Sequence, residues 1–171
     1  MQYTFSNHYT FRATEYNNVT APLHANLEME IVLVHEGVVN MNVNGIEHEI
    51  RAGEGIFILP FISHDFRSLQ GNVCHVLMFC EQYSETYFKQ VGRGSPIKRI
   101  FPISNPLHTY LKEQLKRSEE KNVSLNYSIL CPLFEAIHQN CQFEEKITYQ
   151  TLFLDTLAYI DRHLTEPLTE R

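Results

Sequence analysis

The amino-acid sequence predicts an α+β fold, in which an antiparallel β-barrel is followed by about three α-helices. Up to about residue 80, apolar residues mostly alternate with polar ones, which is typical of strands with one buried face. From about residue 105, apolar residues recur at intervals of three and four, which indicates amphipathic helices. The segment from Val91 to Pro96 contains glycine and proline and has no hydrophobic period, so it separates the two halves.

The first half contains eight predicted strands. Asn44 and Gly45 form a strong hairpin signal, because both residues tolerate a positive φ. The strand over 28–36 is apolar on both faces, so we expect it at the centre of a sheet. Short strands at this spacing predict a sandwich or a barrel. The predicted strands lie near residues 2–11, 19–25, 28–36, 38–44, 46–51, 55–60, 64–69 and 73–80.

The second half contains three predicted helices, near residues 105–120, 124–141 and 145–164. The second helix includes Pro132, which predicts an irregular or kinked first turn because proline lacks an N–H group. Pro167 ends the third helix, since the residue before a proline resists the α conformation.

Composition narrows the function classes. The 171 residues are 43% hydrophobic and 20% charged, which excludes a disordered chain. The net charge of −6 disfavours nucleic-acid binding by this chain. No apolar run is long enough to cross a membrane, and the N-terminus lacks the features of a signal peptide. The four cysteines do not resemble a secreted disulfide framework, so we expect a cytoplasmic protein with reduced thiols.

Two stretches carry residues suited to binding. In the first, His24, Asn26, Glu28 and Glu30 are spaced by two, so their side chains share one face of an unbroken strand. The second stretch begins with Gly53 and Glu54, continues as an apolar strand to Pro60, and reaches His64.

These stretches resemble the double signature of the cupin barrel, a double-stranded β-helix. In this chain the first motif reads His24-x-Asn26-x3-Glu30, and the second reads Gly53-Glu54 through Pro60-x3-His64. The resemblance implies that His24, Glu30 and His64 face the interior as metal ligands. Asn26 departs from the pattern, because a histidine normally stands there and an amide oxygen is a poorer ligand for a transition metal.

The residues leave the metal question open. A later strand offers His75 as a further ligand, and three protein ligands suffice for an open site. In the alternative interpretation, His24 and His64 hydrogen-bond a polar ligand without a metal. A divalent transition metal is therefore one of two alternatives at this site.

The helical half is similar to that of AraC-family transcriptional regulators. Residues 157–169, LAYIDRHLTEPLT, resemble the opening helix and turn of that family's DNA-binding domain. The resemblance implies a ligand-sensing barrel over 1–90, a linker over 91–103, a helical dimerisation segment over 104–155 and the start of a truncated DNA-binding domain over 156–171. The rest of that domain, which would contact DNA, is expected beyond this chain.

The predicted function is therefore effector sensing and dimerisation, without enzymatic activity. The expected effector is a small polar molecule, a sugar or a small organic acid. The alternative function is a metal-dependent cupin enzyme, a dioxygenase or an isomerase. No membrane partner is expected. The predicted ligand-binding residues are His24, Asn26, Glu30, His48 and His64.

Several further interpretations concern the surroundings of the barrel. The helices are expected to form a homodimer, with Leu111 and Leu115 as interface candidates, and Lys98-Arg99 is expected in a solvated linker. His48 either faces the barrel interior or packs in the core.

The second predicted helix carries three potential metal ligands, Cys131, His138 and Cys141. These residues lie too far apart along a helix to share one metal ion, so buried packing is expected for the cysteines. Four N-terminal aromatic residues form either an arm over the barrel mouth or an edge strand: Tyr3, Phe5, Tyr9 and Phe11.

Overall fold

The computed structural model describes residues 2–4, 11–67, 71–80, 82–84, 96–117, 122–143 and 156. Its helices are α1 (Asn105–Leu115) and α2 (Val123–Asn140). Its strands are β1 (Gln2–Thr4), β2 (Phe11–Asn17), β3 (Thr20–Asn26), β4 (Met29–Glu36), β5 (Val38–Val43), β6 (Ile46–Arg51), β7 (Glu54–Ile58), β8 (His64–Arg67), β9 (Val73–Phe79), β10 (Pro96–Lys98), β11 (Ile100–Pro102) and β12 (Gln142–Phe143).

Two five-stranded sheets face each other as a barrel-like sandwich. The first sheet has the order β1-β3-β8-β5-β6, and the second has the order β11-β7-β4-β9-β2. All pairings within them are antiparallel except that of β1 with β3. The predicted α+β fold, with an antiparallel barrel preceding helices, is therefore confirmed.

Strand β4 separates two hydrophobic cores. Val32 and Val34 belong to the core between the sheets, whereas Ile31 and Leu33 belong to the core between the second sheet and the helices. Because successive side chains of a strand point to opposite faces, this strand must be apolar on both. Its predicted central position is confirmed by its pairing with both β7 and β9.

The hairpin between β5 and β6 turns at the predicted residues. Asn44 and Gly45 both have positive φ angles, 53° and 83°. The amide of Gly45 donates a hydrogen bond of 2.9 Å to the side-chain oxygen of Asn42. The turn places the β6 residues opposite β5, with His48 facing Met41.

The N-terminal strands differ from the predicted single strand over 2–11. Residues 2–4 form β1, whereas Phe11 begins β2, which pairs with β9. Phe11 is buried beneath the helices on β2, which lies at the edge of the second sheet, so of the two alternatives the edge strand is confirmed for Phe11 and the arm is not. Phe5 and Tyr9 lie outside the described residues. The sequence prediction missed β2 because its residues after Phe11 are mostly polar and exposed.

The predicted linker over 91–103 contains two strands, β10 and β11. Strand β11 extends the second sheet by pairing with β7, and β10 pairs with β12 after the second helix. The expectation that Lys98 and Arg99 both lie in a solvated linker is wrong, because Arg99 is buried. Residues 91–95 lie outside the described part.

The helices cover the outer face of the second sheet. Leu111 and Leu115 are buried in the core that α1 and α2 share with this sheet. Their expected role at a dimer interface is therefore wrong, since they pack within their own chain. The helix predicted over 145–164 falls outside the described residues except for residue 156, which is helical. Within the described residues, no helix has the length and apolarity needed to span a membrane.

Helix α2 is continuous through Pro132, so the irregular first turn expected at 124 is absent from this described helix. A proline cannot donate to the carbonyl four residues earlier, which here belongs to Ser128. The hydroxyl of Tyr110 on α1 donates to that carbonyl at 3.3 Å. The acceptor freed by the proline thus joins the two helices.

Candidate functional site

Strands β3, β4 and β8 bring together four of the five predicted ligand-binding residues. His24 pairs with His64 across β3 and β8, and their ring centroids are 4.2 Å apart. Asn26 donates a hydrogen bond of 2.8 Å to Oε2 of Glu30 on β4. The same carboxylate oxygen lies 3.3 Å from Nε2 of His64. We call His24, Asn26, Glu30 and His64 the imidazole–carboxylate cluster.

The turn before β8 positions the cluster. Phe61 adopts a positive φ of 62°, and its amide donates to the carbonyl of Asn26 at 2.8 Å. This bond holds the turn against the end of β3. A positive φ at a bulky residue is unusual and is often found near functional sites.

Backbone carbonyls fix the tautomers of both histidines. Nδ1 of His24 donates to the carbonyl of Pro22 at 2.8 Å, and Nδ1 of His64 donates to that of Ile62 at 2.9 Å. In each neutral ring, Nε2 therefore carries a lone pair. His24 is half-buried, whereas His64 is almost fully buried.

The cluster contains unused hydrogen-bonding capacity. Within the described residues, Oε1 of Glu30 and Nε2 of His64 are buried and make no hydrogen bond. At 3.3 Å, Nε2 of His64 and Oε2 of Glu30 make no hydrogen bond while Nε2 carries a lone pair, and a proton on Nε2 would allow one. Unsatisfied buried polar atoms are costly, and they suggest binding of a further group.

Glu30 controls the protonation of His64. Burial alone lowers the pKa of this imidazole, but the adjacent Glu30, the Ile62 carbonyl and Asp65 together raise the pKa above its usual value. A proton on Nε2 also relieves the repulsion between its lone pair and the carboxylate. The cluster therefore favours a positively charged group between Nε2 and Glu30, which is a proton or a cation.

The donor set fits a divalent transition metal. One ligand atom each from His24, Glu30 and His64 lies within 4.8 Å of the others. Two imidazoles and one carboxylate form a common ligand set for such ions, and histidine ligands usually donate their other ring N–H to a carbonyl, as both do in this cluster. Asn26 stands at the position where the cupin motif has a further histidine ligand, and its hydrogen bond orients Glu30.

The remaining predicted residues lie elsewhere. His48 faces the barrel interior opposite Met41, two strands away from His64 in the first sheet. His75 points to the other face of β9 and contacts His35 beneath α1, so its suggested role as a fourth ligand is wrong. Cys141, which follows the last residue of α2, is buried, whereas Cys131 and His138 on α2 are exposed. The packing role expected of the cysteines is therefore wrong for Cys131.

Sequence reasoning missed two polar features, a chain of three histidines and a buried arginine. His35 contacts both His75 and His108, and Arg99 is buried near the end of α2. The alternation on β4 does place His35 on the face of Ile31 and Leu33, which is the only sequence signal for either feature.

Comparison with known proteins places the chain in a family. The model for the AraC-like ligand binding domain matches residues 5–159. An apo variant of ToxT from Vibrio cholerae has 9% identity and a TM-score of 0.61 over 94% of this chain and 67% of that chain. Unsaturated fatty acid-bound ToxT from the same species has 10% identity and a TM-score of 0.59, over 97% and 68%.

No curated protein matches the chain. The chain spans about two thirds of the ToxT chains, whose identity is low enough that the likeness concerns the fold alone. That fold, a cupin-like sandwich followed by helices, agrees with the family match over most of the sequence. The chain belongs to the family of AraC-like ligand binding domains.

Proposed function

We propose that the chain is the effector-sensing domain of a transcriptional regulator, and that a small polar effector binds at the imidazole–carboxylate cluster. The observation that carries this proposal is the unused capacity of two buried groups, Oε1 of Glu30 and Nε2 of His64, within the described residues. A carboxylate and two imidazoles in one buried place recognise hydroxyl or ammonium donors. His24 is half-buried and gives the site access to solvent.

The fold supports a binding role more than a catalytic one. The ToxT structure with a bound unsaturated fatty acid is a member of this fold class holding a small molecule. Strand β1 pairs with β3 alongside His24 and Asn26, so its docking is adjacent to the cluster. In this proposal, effector binding shifts the population of conformations and repositions a DNA-binding domain attached to this one.

A thermal-shift screen against sugars, small amines and small organic acids tests the proposal, and the cluster favours the compounds that bring hydroxyl or ammonium donors. We expect at least one compound to raise the melting temperature of the wild-type chain and to lose its effect in Glu30→Gln. The matched control is Glu36→Gln, on the same strand but exposed. If no compound raises the melting temperature, or if the effect persists in Glu30→Gln, effector binding at the cluster is excluded.

A metal centre is the second candidate function, favoured by the 4.8 Å grouping of His24, Glu30 and His64. Such an ion would act as a Lewis acid or anchor the effector. Elemental analysis after incubation with Fe, Mn, Ni or Zn salts measures it. We expect about one ion per chain in wild type and His48→Gln, and a large loss in His64→Gln. Equal metal content in all three proteins excludes this site, and with it the alternative of a metal-dependent enzyme.

Dimerisation is a separate part of the proposal. With Leu111 and Leu115 buried, the large apolar residues exposed on the described helices are Tyr110, Val123 and Tyr127, and we propose that a homodimer uses these residues. Sedimentation of Val123→Glu tests it, since Val123 is exposed and a charge there leaves the core intact. A monomeric wild type, or an unchanged dimer in Val123→Glu, excludes this interface.

A further inference from the structure

The unsatisfied groups of the imidazole–carboxylate cluster are hydrogen-bond acceptors. Oε1 of Glu30 and Nε2 of His64 are buried and make no hydrogen bond within the described residues. The Nδ1 hydrogen of His64 is already donated to the Ile62 carbonyl, and that of His24 to the Pro22 carbonyl. In the neutral rings, each Nε2 therefore presents a lone pair, as the carboxylate oxygen does. A ligand that satisfies the cluster must bring its own hydrogen atoms.

The carboxylate of the cluster pairs with no arginine or lysine in the described part of the chain. Glu30 is 2% exposed, and its ion-pair contact there is with His64. Arg12 lies in the same row across the strands, separated from Glu30 by Met78 on β9. Its guanidinium instead lies 3.9 Å from Glu28 and donates to Sδ of Met78 at 3.4 Å. A buried carboxylate without a permanently charged partner favours a ligand that brings a positive charge.

The spacing of the three acceptors allows one nitrogen atom to reach them all. One ligand atom each from His24, Glu30 and His64 lies within 4.8 Å of the others. Acceptors placed about 2.9 Å from an ammonium nitrogen, along its tetrahedral N–H directions, lie about 4.7 Å from one another. An ammonium group brings three N–H donors and one positive charge, which equals the demand of the cluster. A hydroxyl group brings one hydrogen atom and no charge, so it would leave two acceptors and the carboxylate charge unsatisfied.

An aromatic ring lies beside the two imidazoles. Phe66 follows His64 by two residues on β8, so both side chains lie on the same face of this strand. The ring centroid of Phe66 is 6.0 Å from that of His64 and 6.5 Å from that of His24. Aromatic faces attract organic cations, and they attract a neutral hydroxyl group much less. The neighbourhood of the cluster therefore also favours a cation that carries an apolar substituent.

We propose that the imidazole–carboxylate cluster binds the primary ammonium group of an organic effector. The ammonium donates to Nε2 of His24, Nε2 of His64 and a carboxylate oxygen of Glu30, and its charge neutralises that of Glu30. Because His24 is half-buried, the rest of the effector extends past it toward the solvent. The inference rests on the proposed sensing function and narrows its effector from a small polar molecule to an amine. An amine and a metal ion would use the same three ligand atoms, so they exclude each other.

Butylamine hydrochloride is a suitable probe, measured by thermal shift at neutral pH in the presence of EDTA. The comparison compounds are 1-butanol, sodium butyrate and tetramethylammonium chloride, at equal concentration and ionic strength. At about ten times the dissociation constant, we expect butylamine to raise the melting temperature of the wild type by about 4 °C. 1-Butanol lacks the charge, and tetramethylammonium lacks the N–H donors, so an equal effect of either overturns the proposal. A butylamine effect that appears only after a metal ion is added also overturns it.

Calorimetric titration of variants locates the bound amine. Glu30→Gln keeps the size of the side chain and removes its charge, so butylamine binding should disappear. His24→Ala changes a half-buried position and removes one acceptor, so we expect binding about tenfold weaker, and this variant decides the question if Glu30→Gln does not fold. Phe66→Leu should weaken binding about threefold. Glu36→Gln and His138→Gln, both exposed, should bind as the wild type does. Wild-type affinity in folded Glu30→Gln or in His24→Ala overturns the proposal.

The outcomes separate this inference from the proposed function. If a sugar or an organic acid raises the melting temperature of the wild type but not of Glu30→Gln, while butylamine has no effect, effector binding at the cluster stands and the ammonium class is overturned. If butylamine raises the melting temperature and loses its effect in Glu30→Gln, both are supported. If no compound has an effect, both are excluded.

Discussion

Nδ1 of His35 on β4 lies 2.8 Å from Nε2 of His108 on α1, a contact that joins the barrel to the helical layer. On its other side, Nε2 of His35 lies 2.7 Å from Nδ1 of His75 on β9. A neutral imidazole donates through one nitrogen and accepts through the other, so three neutral rings can make both contacts, each with one donor and one acceptor. A second proton on His35 would place a charge in a buried position, so the stability of this connection between the sheet and α1 depends on pH.

Acid should weaken the domain through this histidine chain. Burial, followed by the charges of His75, His108 and Lys112, lowers the pKa of His35 to about 3. The pKa values of His75 and His108 are also lowered, chiefly by burial, although Glu15 opposes the shift at His75. Unfolded histidines bind protons near pH 6.5, so the unfolded state binds more protons between about pH 6.5 and 3. Stability therefore falls as pH decreases through this range.

Urea unfolding at several pH values between 7 and 4 measures this effect. We expect His35→Gln to be less stable than wild type at pH 7 but to lose less stability on acidification, because it removes a group that resists protonation. His138→Gln, an exposed substitution on α2, should keep the wild-type dependence. Identical pH dependence in wild type and His35→Gln would show that another group causes the acid sensitivity.

The fold could be predicted because its signals are local. The hairpin of β5 and β6 depends only on local features of the sequence. These are the alternation of apolar and polar residues on the two strands and the turn residues Asn44 and Gly45. Strand β11 could not be predicted, since three residues have no measurable period and form a strand only by pairing with β7. The burial of Arg99 depends on the same long-range packing, so the sequence suggested a solvated linker.

The candidate site could be predicted in part for the same reason. Spacing by two predicts that Asn26 and Glu30 share one face of an unbroken strand, but the chain bends at residues 27–28, so they lie on β3 and β4 in opposite sheets and still meet. The motif resemblance adds His24 and His64. The register that pairs His24 with His64 is a contact between β3 and β8, which no local pattern specifies. The strand register also decides to which face of β9 the side chain of His75 points. His75 contacts His35, so its prediction as a metal ligand was wrong.

Replacing Glu30 should reverse the protonation behaviour of His64. In the wild type, the raised pKa of His64 adds stability that is present below about pH 6.5 and is lost as pH rises through the folded value. In Glu30→Gln the carboxylate is gone while burial remains, so we expect the pKa of His64 to fall below its usual value. NMR titration of the His64 ring measures this shift.

Glu36→Gln is the matched control for that experiment. Glu36 lies on the same strand but is exposed, so its loss should leave the His64 titration unchanged. A His64 pKa that is the same in Glu30→Gln and wild type would mean that Asp65 or the Ile62 carbonyl, and not Glu30, dominates the environment of this ring.

Two glycines with the same backbone conformation should respond differently to alanine. Gly37 and Gly45 have φ angles of 69° and 83°. A Cβ on Gly37 would collide with the carbonyl oxygen of Gly71, whereas one on Gly45 would meet no atom within 4 Å. We expect Gly45→Ala to cost about 1 kcal/mol from the left-handed backbone alone, and Gly37→Ala about 3 kcal/mol or more. Chemical denaturation measures both, and equal losses would contradict the close approach of Gly71.

Leu111 provides a test of how α1 packs. Its side chain is 0% exposed within the core shared by the second sheet and the helices. Leu111→Ala should therefore destabilise the domain by about 3 kcal/mol, through lost burial and the cavity that remains. Leu107 is only partly buried on the same helix, so Leu107→Ala should cost about 1 kcal/mol.

Denaturation measured together with sedimentation separates this packing role from a role between chains. If Leu111 packs only within its own chain, the loss of stability in Leu111→Ala is independent of protein concentration. Any dimer of the wild type then persists in the folded variant. A loss of stability that grows on dilution, together with loss of the dimer, would instead place Leu111 between two copies of the chain.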